Sequence, residues 1–198
     1  MTLIDTHNHL YAEEFDENRD QAIREAIESG IGKVLLPNID VSSIERMHNV
    51  CDAWPDFAYP MMGLHPTSVN ADFEEQLTII KSHLKTREYC AIGEIGIDLY
   101  WDKTYIREQE YAFEEQLKWA IQLNLPVAIH TRDAFPEVIN CIRNAGSESL
   151  TGVFHSFTGN EAELASLLEF KNFKIGINGV ITFKNSTLQK VLKNTTID

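Results

Sequence analysis

Short apolar runs recur along the chain, each closing on histidine, proline or glycine: LIDTH at His7, KVLLP at Pro37, YPMMG at Gly63, CAIG at Gly93, PVAIH at His130, GVFH at His155 and KIGING near Gly179. They are continuous rather than alternating, the pattern of strands buried on both faces, and such strands belong to parallel sheets. Seven strands are therefore predicted. Between them lie helix patterns. Residues 107 to 124 place Phe113, Leu117, Ala120 and Ile121 on one apolar stripe. Helices are also predicted over 17 to 29 and 134 to 145, each stopped by a glycine, Gly30 and Gly146, able to turn left-handed. Ser42 or Ser43 is expected to cap a helix running to Trp54, and residues 74 to 86 and 160 to 169 complete the series. Successive run ends lie 30, 26, 30, 37, 25 and 24 residues apart, the size of one βα unit. Such spacing fits a doubly wound open sheet or a (β/α)8 barrel. A dinucleotide-binding sheet needs a glycine-rich turn after its first strand, and DTHNHL has no glycine. The expectation is an α/β fold, a (β/α)8 TIM barrel in a single domain over residues 1–198.

Composition narrows the function. With 17 Lys and Arg against 30 Asp and Glu, the net charge of -13 excludes a protein that grips nucleic acid by a broad basic surface. An anionic substrate then needs a local positive centre, which a metal can supply. Cys51, Cys90 and Cys141 are odd in number and never in CxxC spacing, so reduced, partly buried thiols are expected rather than disulfides or a thiolate site. No basic leader precedes an apolar stretch, and no apolar run approaches the ~20 residues that span a bilayer. A cytoplasmic, unprocessed protein with no membrane partner is expected.

Candidate chemistry sits at the strand ends. His7 and His9 close the first strand, Glu94 the fourth, His130 the fifth and His155 the sixth. In a barrel these ends form one mouth. Residues i and i+2 of a strand face the same way, so His7 and His9 can grip one ion. Four histidines and a carboxylate exceed what one tetrahedral ion with an open position needs, so two divalent ions are expected, with Glu94 as the bridge. His48 and His83 fall inside helix patterns and read as solvated surface. His65, in GLHPTS, is on the correct rim without a partner in its own strand and reads as a substrate contact.

Taken together, DTHNHL, GLHP at 63 to 66, IGEIGIDLY at 92 to 100, AIHTRDA at 128 to 134, FHSFTG at 154 to 159 and GINGVITFKN at 176 to 185 resemble the TatD family of metal-dependent deoxyribonucleases, in the amidohydrolase superfamily. The resemblance covers essentially the whole chain, with the motifs in family order. It implies a TIM barrel, a site for two divalent metal ions (Zn, Mg or Mn) held by His7, His9, Glu94, His130 and His155, and catalysis carried by Glu94, His130 and His155. The implied reaction is attack of a metal-activated water on DNA phosphodiesters, by a 3'-5' exonuclease acting on single strands or 3' ends. A metal-dependent ester or amide hydrolase of the same superfamily, such as a D-aminoacyl-tRNA deacylase, stays open, since the same site attacks carbonyl centres. So does an inactive fragment.

The resemblance also implies a further ligand, an aspartate in a last strand similar to LETDSP, which nothing in this chain matches. Asp198 follows a helix tail rather than an apolar run. The expectation is a chain that is C-terminally incomplete, stopping after about seven βα units with the eighth strand missing. Arg132 and Lys184 are placed to hold phosphate, and Asp98 to orient a ligand. Ser156, Thr158 and Gly159 are expected to form a loop capping the next helix. Phe157, Tyr100 and Trp101 are candidates for base stacking. No feature sets the oligomeric state.

Overall fold

A computed structural model describes residues 2–195; Asp198 lies outside them. Seven strands form one sheet in the order β1-β2-β3-β4-β5-β6-β7, every neighbouring pair parallel. They are β1 (Leu3–Asp5), β2 (Ile31–Pro37), β3 (Ala58–Met62), β4 (Ala91–Asp98), β5 (Val127–Arg132), β6 (Gly152–Phe154) and β7 (Phe173–Ile175). A doubly wound sheet reverses its strand order at a switch point, whereas a barrel adds each strand beyond the last. The consecutive order therefore selects the barrel, here an open curl. Among the described residues no eighth strand follows β7.

The helices α1 (Arg19–Glu28), α2 (Ile44–Ala53), α3 (Phe73–His83), α4 (Ile106–Leu123), α5 (Phe135–Ala145), α6 (Glu161–Leu167) and α7 (Leu188–Val191) alternate with the strands. Strand residues pack on them: Ile92, Ile95, Ile97, Val127 and Ile129 join Phe113 and Leu117 of α4 and Val138 and Ile142 of α5 in one apolar core. A second core gathers Val34, Leu36 and Met62 with Ile23, Met47, Ile80 and Trp119. The opposite parity of β5 carries Ala128, His130 and Arg132, so the strand that anchors the core turns His130 to the other face. No helix among the described residues is long and apolar enough to cross a membrane.

Several boundaries differ from expectation for physical reasons. Gly30 and Gly146 follow α1 and α5 with φ of 94° and 96°, as expected. Ser43 stands at the N-cap of α2 but makes no side-chain capping bond to it; Asp40 caps the 3-10 turn Val41–Ser43 that leads into the helix. Its carboxylate accepts the Ser43 N–H at 3.0 Å while the Ser43 hydroxyl accepts the Asp40 N–H at 3.1 Å, a reciprocal capping pair. Asp40→Ala should lower the melting midpoint by about 2–4 °C, as expected for ~1 kcal/mol of lost capping in a chain of this size. Thermal denaturation followed by circular dichroism measures it. The β7 strand stops at Ile175 because Asn178 accepts the Val180 N–H at 3.0 Å and starts a 3-10 turn over Gly179–Thr182. Asn160 itself caps α6, accepting from Ala162 and Glu163. Phe157 is buried against Phe135 and cannot stack on a base. His48 is not freely solvated: its Nε2 lies 3.0 Å from the Tyr89 hydroxyl, and burial lowers its pKa to about 4.

Cys51, Cys90 and Cys141 are free, and burial raises their thiols to about 12, 11 and 12. They stay protonated near neutral pH and offer no thiolate.

Candidate metal centre

Glu94 is the hub. It sits inside β4 rather than at its end, in an eight-residue strand buried throughout, and only 3% of its surface is exposed. The register of β4 against β5 shifts between Ile92 and Ile95, and there the Gly93–Glu94 peptide bonds to Asn38 instead. The Asn38 N–H donates to the Gly93 carbonyl at 3.1 Å, and the Glu94 N–H to the Asn38 carbonyl at 3.2 Å. Asn38 is itself fully buried. Its amide donates to the Gly63 carbonyl at 2.8 Å and accepts from Ser43 at 2.9 Å. The bulge therefore aims the carboxylate across the curl from a backbone locked to β2 and β3.

Each Glu94 oxygen faces histidine. Oε2 lies 3.1 Å from His7 Nε2 and 3.7 Å from His65 Nε2, and Oε1 lies 3.3 Å from His130 Nδ1. Burial alone would raise the carboxyl pKa, but the bonds from His130 and His7 and the field of His65 outweigh it and hold the group well below the usual range. Glu94 thus remains an anion in a nearly dry site. Two groups of ligand atoms, His7, His9 and Glu94 on one side and His65, Glu94 and His130 on the other, each lie within 4.8 Å of one another and share this carboxylate.

His7 and His9 lie just past β1, which ends at Asp5, so a turn rather than strand alternation brings them together. Asp5 accepts the His7 N–H at 3.2 Å and the Asn8 amide at 2.8 Å, and the Asn8 N–H donates to Leu35 of β2 at 3.0 Å. The rings stand edge to face, 5.1 Å apart.

Hydrogen bonds set which nitrogen carries the proton in His9 and in His65. The buried Tyr11 hydroxyl donates its proton to the Pro37 carbonyl, so it accepts from His9 Nδ1–H at 2.8 Å. That leaves the Nε2 lone pair of His9 free for a cation. His65 is the reverse case. Its Nδ1 accepts the Thr67 N–H at 3.2 Å and lies 2.7 Å from the Thr67 hydroxyl, so Nε2 carries the proton. A protonated Nε2 donates a hydrogen bond and cannot bind metal. Burial lowers the His65 pKa to about 4, which keeps the ring neutral.

His130 lies between two carboxylates. Asp98 Oδ2 sits 2.8 Å from its Nε2, opposite Glu94 at Nδ1. Burial opposes the charged ring, yet Asp98 and Glu94 together raise its pKa to about 9. His130 would hold a cation beside Glu94 through Nδ1, with Asp98 keeping the Nε2 proton. Asp98 is held in turn by Gln109 of α4, which accepts its N–H at 2.8 Å.

His155 stacks flat on His7, with centroids 3.4 Å apart, and its Nε2 lies 2.8 Å from the Ser156 hydroxyl, which accepts the Asn178 amide at 2.7 Å. It stands outside both ligand groups. Burial lowers its pKa to about 4. The Arg132 guanidinium lies over the Tyr100 ring, 3.6 Å from its centroid. Lys184 is exposed, and among the described residues no hydrogen bond or ion pair joins it to Glu94.

Tyr11, Asn38 and Gln109 are absent from the expected site. Tyr11 had a signal only in its spacing, two residues after His9, and the segment is a turn rather than a strand. Asn38 follows directly on the second apolar run. Gln109 had none, being one polar residue on a long amphipathic helix.

Residues 4–198 match the model of the family described as TatD related DNase. An uncharacterized metal-dependent hydrolase of Bacillus subtilis, YabD, is 35% identical over 188 residues, covering 95% of this chain and 73% of its own length. The 3'-5' ssDNA/RNA exonuclease TatD of Pectobacterium parmentieri is 31% identical over 182 residues, covering 89% of this chain and 68% of its own. The crystal structure of YjjV, a TatD homologue from Escherichia coli, superposes with a TM-score of 0.89 at 27% identity, covering 98% of this chain and 75% of that one.

Proposed function

The chain belongs to the TatD related DNase family, and from that premise we propose that it hydrolyses phosphodiester bonds of single-stranded DNA from the 3' end, using two divalent cations. The observation that carries this reading is the buried Glu94 carboxylate with histidine nitrogens facing both of its oxygens. Mixed imidazole and carboxylate donors suit Zn or Mn better than an all-oxygen cage suited to Mg or Ca. His7, His9 and Glu94 would hold one cation, and Glu94 and His130, joined by His155 once it leaves Ser156, the other. Such ions, when bound, supply Lewis acidity and an acidified water.

The chain's own residues do the rest. Asp98 keeps the Nε2 proton of His130 and thereby orients the ring. His65 directs its Nε2–H into the site, where a phosphoryl oxygen beside Glu94 can accept it. The relatives named as exonucleases support the choice of a nucleic-acid strand.

End-labelled single-stranded DNA incubated with the protein in Zn2+, Mn2+ or Mg2+ should shorten stepwise from its 3' end and stop shortening on chelation. Intact DNA together with turnover of an aminoacyl ester would overturn the reading in favour of a carbonyl substrate. His65→Ala is expected to lower kcat by about 10^2-fold, the scale of one lost donor to a developing charge. It should leave zinc affinity unchanged, because Nε2 is already protonated. A parallel loss of bound zinc would instead make His65 a ligand.

A further inference from the structure

The loop between β4 and α4 carries two neighbouring aromatic rings that the hydrolytic site does not use. Trp101 is 74% exposed and Tyr100 50%, and they meet edge to face at 4.7 Å. The loop is tied down. The Leu99 N–H donates to the Arg132 carbonyl at 2.9 Å, and the Tyr100 N–H to Asp98 Oδ1 at 3.0 Å. Asp102 accepts from the backbone and hydroxyl of Thr104 at 2.8 and 2.6 Å, closing the turn beyond Trp101. Arg132 lies over Tyr100 at 3.6 Å and reaches to 5.4 Å of Trp101. Asp98 is the residue that also holds His130, so the rings are anchored two and three residues from the candidate centre.

We propose that Trp101, supported by the Tyr100–Arg132 stack, is a platform on which one base of the substrate strand stacks beside the hydrolytic site. The proposal rests on the nucleic-acid reading above. Its chemistry follows from charge: with 30 acidic and 17 basic side chains, neutralisation of phosphates away from the hydrolytic site supplies little affinity, and stacking is a source that needs no basic surface. Every base has a π-face, so the platform grips a strand without reading its sequence. Arg132, engaged with the rings, then acts as a positioning residue for Tyr100 rather than as a phosphate clamp.

The test is fluorescence anisotropy of labelled single-stranded dA12, and of an abasic 12-mer of the same backbone, in Ca2+ to limit turnover. Trp101→Ala should raise Kd for dA12 by about 5- to 150-fold, the range of one lost stacked base. Kd for the abasic strand should stay unchanged, and Trp101→Phe should recover most of the dA12 affinity. Equal binding of dA12 by wild type and Trp101→Ala, equal losses on both strands, or no preference of wild type for dA12 over the abasic strand would each overturn the platform. The two readings fail separately. Stepwise cleavage without base-dependent binding removes the platform alone, whereas base-dependent binding without cleavage removes the nuclease.

Discussion

Glu94→Gln is expected to reduce hydrolysis by about 10^3-fold or more and to abolish stoichiometric metal binding. Substitutions of groups that merely support a ligand cost ~10–100-fold, and Glu94 is the one carboxylate common to both ligand groups. Glutamine keeps the volume but replaces an oxygen with an amide that donates toward His7, His65 or His130. Those nitrogens then meet a donor where they met a charge. The His130 pKa, held up to about 9 by Asp98 and Glu94 against its burial, should fall. Steady-state kinetics on a labelled strand, with metal content from atomic emission, gives both readouts. Activity within 10-fold of wild type would remove Glu94 from the centre.

Gly96→Ala should be the most destabilising small change. Gly96 pairs with His130 across β4 and β5 at a φ of 143°, and a Cβ there would lie 1.9 Å from the His130 carbonyl oxygen. Backbone strain of ~1–3 kcal/mol and a steric penalty of similar size give about 2–6 kcal/mol in total. Against a typical stability of ~5–15 kcal/mol, a fall in melting midpoint on the order of 10 °C is expected. Relief of the clash moves the strand that carries His130, so turnover should fall with stability. A variant melting like wild type would show that the strands part at no cost.

The repeating strand and helix pattern was legible because parallel strands buried on both faces have to be written as continuous apolar runs. Spacing alone fits a doubly wound sheet as well, so the consecutive order was legible only through the glycine-free DTHNHL turn and the polar residues gathered at the strand ends. Glu94 was legible as a candidate ligand but not as a residue inside a strand, because the bulge at Ile92–Ile95 depends on Asn38, 56 positions before Glu94. The protonation of each histidine was beyond reach for the same reason. His65 and His9 lie on the same rim, and only Thr67 and Tyr11 leave one with a protonated Nε2 and the other with a free Nε2 lone pair. Arg132 illustrates a different limit. A basic residue two positions after His130 reads as a phosphate contact, and nothing in its spacing shows that its guanidinium also lies over Tyr100.

Zinc titration followed by long-range 1H–15N NMR of the histidine side chains tests the central claim most directly. At least one equivalent should bind tightly, with the ring nitrogens of His7, His9 and His130 shifting while those of His48 and His83 stay in place and His65 keeps its Nε2 proton. Binding of less than one equivalent, or shifts confined to His48 and His83, would contradict a metal centre built on Glu94.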